Sequence, residues 1–211
     1  MKKTLLAVAL ATALAPSFAM AEKGDIVVRL RATQVAPDEK SKLDNATFGA
    51  NSDLKVDNNT IPELDISYYF TKNIAAELIL ALGTRHKVEA DLNGTKVDLG
   101  KVNLLPPTLL AQWHFNPDQT FDPYLGAGIS YIRAMDNSLS LPNSTDIHIS
   151  RNNWGAALQA GLDFNLENKW LLNVDVKKIW FDTTVRLDGV GKIDNLDIDP
   201  WVVSVGFGKK F

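Results

Sequence analysis

The sequence contains no cysteine among its 211 residues, so no disulfide can hold the fold together. Beyond residue 21 it also lacks any run of 18 uninterrupted apolar residues, which argues against a membrane protein built from helices. The net charge is small, because the chain has 22 basic and 25 acidic residues. Nucleic-acid-binding proteins carry a clustered basic face, so this composition gives no support for that class.

The first 21 residues differ in character from the rest. The chain opens M-K-K, continues with the apolar stretch Leu5–Ala15, and reaches the small-x-small pattern Ala19-Met20-Ala21. This order is typical of a secretory signal peptide. An N-terminal anchor helix is the alternative, although Pro16 interrupts the stretch. We predict a cleaved signal peptide over residues 1–21 and one exported domain over residues 22–211.

The stretch Trp201–Phe211 alternates large apolar residues with small or polar ones. Successive side chains of a strand point to opposite faces, so this pattern predicts a strand with one apolar face. The same period of two begins again near Ile26, Pro62, Ile74, Leu109, Tyr124, Trp154 and Trp170. Helix is a competing interpretation for Ile74–Leu82, because Ala, Leu and Glu are good helix formers. The strict alternation of the neighbouring stretches favours a strand there.

The links between these eight stretches alternate in length. Three short turns cover 71–73, 116–120 and 165–169, and four long polar loops cover 37–60, 87–101, 136–152 and 189–199. A small hairpin at the tip of 87–101, around Asn93-Gly94, is an alternative for the second long loop. Outer-membrane barrels show this asymmetry, whereas soluble sandwiches have no reason to sort loop length in this way. The sequence therefore predicts an all-β fold, an eight-stranded antiparallel up-and-down transmembrane β-barrel with short periplasmic turns and long external loops.

Aromatic residues support a barrel rather than a soluble sandwich. Those beside the short turns or the end of the chain are Tyr68, Phe70, Trp113, Phe115, Phe164, Trp170 and Phe211. Those beside the long loops are Trp154, Trp180 and Trp201. Two such groups would form the aromatic girdles that mark the two membrane interfaces.

The block Leu105–Phe115, followed by Pro123–Tyr131, closely resembles the OmpW family. Shorter matches cover Asn73–Leu78, Arg85–Lys87, Trp154–Ala157, Asp182–Thr184 and Asp199–Val202. The resemblance implies an eight-stranded barrel in the outer membrane of a Gram-negative cell. It also implies passage of small hydrophobic compounds through an apolar pocket, with a sideways exit into the bilayer. The final residue, Phe211, resembles the signal by which the outer-membrane assembly machinery recognises barrels.

If the apolar strand faces meet lipid, the charged faces line the lumen. The inward set is Arg29, Arg31, Glu63, Asp65, Glu77, Arg85, Asp163, Asp175 and Lys177, with Gln112, His114 and Gln159. Buried charges cost several kcal/mol unless they are paired, so we expect a network that bridges strands. This network either plugs the whole barrel or closes its periplasmic half below an apolar cavity. Charge at Asp175 and Lys177 argues against a uniformly apolar lumen.

The candidates for the apolar cavity are Ile79, Ala81, Leu105, Pro106 and Leu110. Proline cannot donate to a strand ladder, so Pro106 and Pro107 would loosen pairing and favour a sideways exit. A plain strand start at this point is the alternative. The period of two slips near Lys178, which predicts a β-bulge.

Enzymatic function receives little support from the sequence. A catalytic nucleophile needs an oriented base, but the three histidines are far apart and no G-x-S-x-G motif occurs. We therefore predict a protein that is not an enzyme and that needs no cofactor or metal. The basic cluster Arg85-His86-Lys87 suits lipopolysaccharide phosphates. Expected partners are outer-membrane lipid, lipopolysaccharide, the assembly machinery and small hydrophobic solutes, and not nucleic acid.

Two functions remain open at this point. The first is a barrel that binds or passes small hydrophobic molecules, with a charged periplasmic plug. The second is a non-transporting structural or adhesive barrel, whose external loops bind host, phage or lipopolysaccharide surfaces.

Overall fold

The computed structural model describes residues 22–41, 43, 48–49, 52–81, 84–142 and 145–211, without the side chains of 136–138. The predicted signal peptide over residues 1–21 lies outside this part of the chain. The strands that are described are β1 Ile26–Ala36, β2 Asp53–Val56, β3 Asn59–Tyr69, β4 Ile74–Ala81, β5 Thr84–Leu92, β6 Thr95–Leu105, β7 Thr108–His114, β8 Phe121–Ser140, β9 Asp146–Ile149, β10 Asn152–Asn165, β11 Trp170–Trp180, β12 Asp182–Leu187, β13 Gly191–Asp197 and β14 Trp201–Lys210. A short 3-10 turn, Glu167–Lys169, precedes β11. In the same residues no helix has the length and apolar character needed to cross a membrane.

Eight strands pair antiparallel in a closed ring, which confirms the predicted barrel. Their order is β1, β3, β4, β7, β8, β10, β11 and β14, and β14 returns to β1. Short turns join β3 to β4, β7 to β8 and β10 to β11, so all three lie at one end. The stretch Ile74–Ala81 is a strand rather than a helix. It pairs with β3 on one side and with β7 on the other, and its alternating residues suit the two faces of the ring.

The long links rise beyond the other end of the ring as an extension made of paired strands. It contains β2, β5, β6, β9, β12, β13 and the last part of β8. The β5–β6 hairpin turns at Asn93-Gly94 with φ of 52° and 86°, the left-handed pair that this dipeptide adopts at hairpin tips. The sequence predicts polar loops here, and the structure corrects that prediction. Apolar side chains alternate with the polar ones and face a shared interior.

The interior of the extension is an apolar cluster. Its buried residues include Val88, Leu99, Leu139, Ile147, Val185 and Leu196. None of these side chains belongs to the eight-strand pattern that marks the membrane-spanning ring. The polar partners on alternate positions face outward, which is why these segments look like solvated loops in the sequence.

The outer surface of the ring is apolar and carries aromatic residues at both ends. On β14, Val203, Val205 and Phe207 are at least half exposed, while Val202 and Ser204 are buried in the lumen. This is the polarity expected of a strand with lipid outside. The aromatics predicted for the two girdles, such as Trp113 and Trp154, lie on this outer face.

The sequence predicts a bulge near Lys178, and the structure shows none. β11 keeps an unbroken register with β10 and β14 through this position. Lys178 faces outward, and its Nζ lies 3.1 Å from Asp38 Oδ2 and 4.9 Å from the centre of the Trp201 ring. A lysine whose stem runs along an apolar surface to a polar partner interrupts the pattern of residue types without shifting the strand.

One glycine in the ring allows an unusually close approach between strands. A Cβ on Gly128 would lie 2.8 Å from Leu110 Cα and would also meet the Leu109 carbonyl oxygen. Because both are backbone atoms, the neighbouring strand could not yield. A narrow lumen therefore requires glycine at this position.

Candidate functional site

An apolar cavity of about 110 Å³ occupies the interior where the ring meets the extension. Ile79, Ala81 and Pro106 from the expected set contribute to its lining. Leu110 is fully buried just below and packs with Ile79 and Val202. The lower boundary of the cavity includes Glu63 and Lys177, which are the uppermost members of a charged network.

Arg31 is the centre of that network. Its Nη1 donates to Glu63 at 3.2 Å and to Asp175 at 2.9 Å, and its Nη2 donates to Glu77 at 3.0 Å. Its Nε lies 3.0 Å from Asp65 Oδ2, an ion-pair distance without hydrogen-bond alignment. One guanidinium thus holds carboxylates from β3, β4 and β11 across the lumen.

Arg29 joins the same network one layer below. It makes a two-pronged contact with Asp163, in which Nη2 donates to Oδ2 at 2.6 Å and Nε donates to Oδ1 at 3.3 Å. Its Nη1 donates to Asp65 at 3.2 Å and to Ser67 at 2.7 Å. Bidentate pairing with a carboxylate is the strongest arrangement available to arginine.

Lys177 and Gln159 complete the cross-links. Lys177 Nζ donates to Glu63 at 3.1 Å and to Asp175 at 3.0 Å. Gln159 Nε2 lies within hydrogen-bond distance of Glu77, at 2.8 Å, and of Asp175, at 2.6 Å. The lumen at this level is therefore filled by paired side chains, as expected for an eight-stranded barrel.

The network has more acids than bases. Its carboxylates are Glu63, Asp65, Glu77, Asp163 and Asp175, and its cations are Arg29, Arg31 and Lys177. Every cation contacts at least two carboxylates. The ion network consequently links five strands across the lumen and contains more acidic than basic side chains.

A second cluster lies at the end that carries the short turns. His114 Nδ1 lies 2.7 Å from Asp122 Oδ2, and the His114 ring stacks on Tyr124 with centroids 4.9 Å apart. His114, Asp122 and Asp163 have ligand-type atoms within 4.8 Å of one another, the spacing of a metal site. However, Arg29 already donates to both oxygens of Asp163, so this trio is described better as a hydrogen-bonded cluster.

Two expected site residues lie elsewhere. Arg85 is exposed on the outer surface and does not join the network, because β5 presents Thr84 and His86 inward. His86, which the sequence places in an external basic cluster, instead lines the cavity. The inward parity changes between Ala81 and Thr84, across two positions outside the described residues.

Leu105 also departs from expectation. It is half-buried and does not line the cavity, whereas its neighbours Leu104 and Pro106 do. From Val102 onward the even-numbered side chains of this segment point inward, so Leu105 faces the same way as the exposed Leu109. Alternation in the sequence already places Leu105 on the face of Leu109, opposite Pro106 and Leu110.

The sequence of the chain is similar to those of named outer-membrane proteins. The model of the OmpW family matches residues 22–211. The chain belongs to the OmpW family. Outer membrane protein W of Escherichia coli (strain K12) is 36% identical over 217 residues, covering 100% of this chain and 99% of the relative. Outer membrane protein AlkL of Ectopseudomonas oleovorans is 29% identical over 189 residues, covering 87% of this chain and 81% of that protein.

A solved structure is similar over the same length. The crystal structure of the outer membrane protein OprG from Pseudomonas aeruginosa has a TM-score of 0.80 and 31% identity, covering 91% of this chain and 98% of that one. This family member is thus an outer-membrane β-barrel, with the short turns on the periplasmic side and the extension outside. The relatives named here are outer-membrane barrel proteins.

Proposed function

We propose that this barrel takes small hydrophobic molecules from outside the cell and delivers them sideways into the outer membrane. The observation that carries the proposal is the division of the lumen. An apolar cavity stands on a sealed ion network, so an apolar solute has a favourable place above and no path below. Non-polar solutes gain by leaving water for such a lining, at roughly 25 cal/mol per Å² of buried apolar surface.

The extension supports the entry step. Its interior is built from apolar side chains such as Val88, Leu99 and Val185, which continue the cavity lining away from the membrane. A molecule can therefore remain in apolar surroundings from the external end to the level of Ile79. A protein that only displayed loops to other surfaces would have no need for this continuous interior.

Interrupted strand pairing supports the sideways exit. The β4–β7 ladder ends at Ile79↔Thr108, and the β5–β6 ladder starts at Thr84↔Leu104. Between these ladders, no described strand pairing joins Leu80–Ala81 to Leu105–Pro107. Leu80 and Ala81 pair only with β3 on their other side. Pro106 lines the cavity at this place and has no N–H to donate. The same prolines would also suit a plain start of β7, so the exit needs its own test.

Uptake of an alkane or aromatic solute by cells or liposomes, with and without the protein, tests the proposal. Ile79→Arg should place a charge in the cavity and reduce uptake to the level without protein, whereas Ile79→Val should retain it. Replacing both Pro106 and Pro107 by Ala should slow delivery if donors restored there close the gap. Unchanged uptake in Ile79→Arg would show that this route is wrong, and equal uptake without the protein would favour the structural or adhesive function.

A surface function in lipopolysaccharide binding has a separate observation in its favour. Arg85, Lys101, Arg133 and Arg151 are exposed at the base of the extension and form no ion pair with any described acidic residue. Guanidinium and ammonium groups at that height suit lipid phosphates. Arg133→Gln with Arg151→Gln should weaken lipopolysaccharide binding by the purified barrel, and unchanged binding would remove this function.

Phe211 supports a role in assembly. Its ring is 63% exposed on the outer face, and its backbone pairs with Ile26 at the β1–β14 seam. We propose that the assembly machinery recognises this residue. Deleting Phe211 should lower the amount of barrel in the membrane more than it affects solute uptake per assembled molecule, and normal assembly would contradict this.

A further inference from the structure

Among the polar residues that line the cavity, His86 lies on an otherwise apolar part of the wall. It is 3% exposed, and its cross-strand partner in the β5–β6 ladder is Val102. Val56, Val88 and Leu104 line the cavity together with it. An imidazole in such surroundings is largely removed from bulk water, so each ring nitrogen needs a partner from the protein or from a ligand.

One nitrogen of the His86 ring is held by the protein. Nδ1 lies 3.0 Å from the backbone carbonyl oxygen of Asp57. A carbonyl oxygen has no hydrogen to donate, so Nδ1 carries the hydrogen of this bond. The Asp57 carboxylate is farther from the ring, with Oδ1 at 3.7 Å from Nδ1, and it accepts a hydrogen bond from the Lys87 backbone N–H at 2.7 Å. In the neutral imidazole, this arrangement leaves Nε2 as an acceptor without a hydrogen.

The other ring nitrogen, Nε2, is open to a ligand. It has no hydrogen-bond partner in the described part of the chain, and it keeps accessible surface, unlike the unpaired and fully closed Asn173 Oδ1. The exposed part of the His86 side chain is only 4%, and the space that this side chain borders is the cavity. A molecule in the cavity can therefore reach Nε2.

A nitrogen acceptor of this kind discriminates between ligands by the hydrogen that each one brings. An alcohol can donate its O–H to Nε2 while its hydrocarbon part lies against the aliphatic wall. An ether of the same size brings only acceptor lone pairs, and an alkane brings no polar atom, so Nε2 stays without a partner in both cases. A buried polar group without a partner costs free energy, and this cost falls on ligands that lack a donor.

We propose that His86 Nε2 is the group by which the cavity selects apolar molecules with a hydroxyl group over molecules of the same size without a hydrogen-bond donor. This inference rests on the proposed function, since it names the substrate class of the same cavity. The hydroxyl end of the ligand lies at His86, and the hydrocarbon end lies among the aliphatic side chains of the extension. The preferred substrates are therefore alcohols rather than plain hydrocarbons.

Three linear probes of equal length test this selection: heptane, methyl pentyl ether and 1-hexanol. Binding to the full barrel in lipid nanodiscs is measured by ligand-detected NMR at about pH 8, where histidine is neutral, with empty nanodiscs subtracted. His86→Phe removes both nitrogens at similar size, and His86→Gln places an amide oxygen near the position of Nε2. His148→Phe is the matched control, because His148 is exposed and pairs with Asp188 outside the cavity. Heat-modifiable electrophoresis shows whether each variant is folded.

The measured quantity is the ratio of the affinities for 1-hexanol and methyl pentyl ether, in which partition into the lipid cancels between variants. His86→Phe should lower this ratio by about 3- to 10-fold, whereas His86→Gln and His148→Phe should retain it within about 2-fold. Heptane binding should persist in all of the variants. In protein with isotope-labelled histidine, the Nε2 resonance of His86 should shift when 1-hexanol is added and should not shift when the ether is added.

An unchanged ratio in His86→Phe would overturn the inference. An equal fall in His86→Gln would also overturn it, since the shape of the ring rather than its acceptor would then set the preference. In both cases, heptane binding by the unaltered barrel would leave the proposed function standing. Absence of heptane binding by the unaltered barrel would overturn the proposed function and the inference together.

Discussion

The lower and upper halves of the lumen follow the same alternation but are filled in opposite ways. In the membrane-spanning ring, Arg29, Arg31 and Lys177 are buried among carboxylates. In the extension, the inward positions carry Val88, Leu99 and other aliphatic residues, and a cavity remains between them. Charged side chains bind one another across the lumen, whereas the aliphatic side chains of the extension form one apolar cluster around the cavity.

The two halves of the lumen therefore differ in what holds them together. The ion network ties β1 to β3, β4, β10 and β11. The extension keeps an apolar space above this network. The comparison also predicts different energetic responses, since a broken ion network leaves charges unpaired and a shortened aliphatic side chain only enlarges a cavity.

The largest effect should come from Arg31→Met. The change leaves Glu63, Asp65, Glu77 and Asp175 without their shared cation, and the free energy of unfolding should fall by about 3–5 kcal/mol. Urea unfolding in lipid vesicles measures this. Arg85→Met is the matched control, because Arg85 is exposed, and it should change stability by less than about 0.5 kcal/mol. Equal effects of the two changes would show that the ion network does not support the ring.

Leu196→Ala should have an intermediate effect in the upper half. Leu196 is 3% exposed and belongs to the apolar cluster, so shortening it should cost about 2–3 kcal/mol. This loss of unfolding free energy is at the low end of the range for Leu→Ala changes, because Leu196 already borders a cavity and has fewer packing contacts to lose. The same urea titration measures it, and a loss larger than that of Arg31→Met would reverse the ranking of the two halves.

The eight strands of the ring were predictable because the period of two is local information. Alternation around Arg29 and Arg31 gives both the strand and its inward face, without any knowledge of the partner strands. Pairing was not predictable in the same way. Arg29 and Asp163 are 134 positions apart, and only closure of the ring brings them together.

The extension was the part that sequence reasoning missed. Apolar residues such as Val97, Leu99 and Val102 are separated by charged residues, and this composition looks like a solvated loop. These residues become an apolar interior only because several hairpins of the extension stand side by side. Arg85 was placed wrongly because inward parity changes between Ala81 and Thr84 without any change in composition. Leu105 was placed wrongly because it has the outward parity of Leu109.

The smallest effect is expected on the outside of the extension. The backbone N–H of Gly100 and the side chain of Lys87 hold the pKa of Asp98 below its usual range. A lowered folded pKa stabilises the fold above the unfolded value of about 4, and that contribution disappears as the pH falls through the folded value. Because Asp98 is fully exposed, Asp98→Asn should barely move the urea midpoint at pH 7 and should not move it at pH 3. A large shift of the urea midpoint at pH 7 would contradict the expectation that the outer surface of the extension adds little to the free energy of unfolding.

Accessibility of single cysteines tests the division of the lumen most directly. The chain has no cysteine, so Ala81→Cys in the cavity and Ser67→Cys within the ion network each provide one thiol. A small uncharged maleimide is added to intact cells, and labelling is followed over time, with denatured samples as the control for reactivity. The division predicts that Ala81→Cys is labelled while Ser67→Cys remains protected. Equal labelling of both thiols in the folded barrel would contradict it.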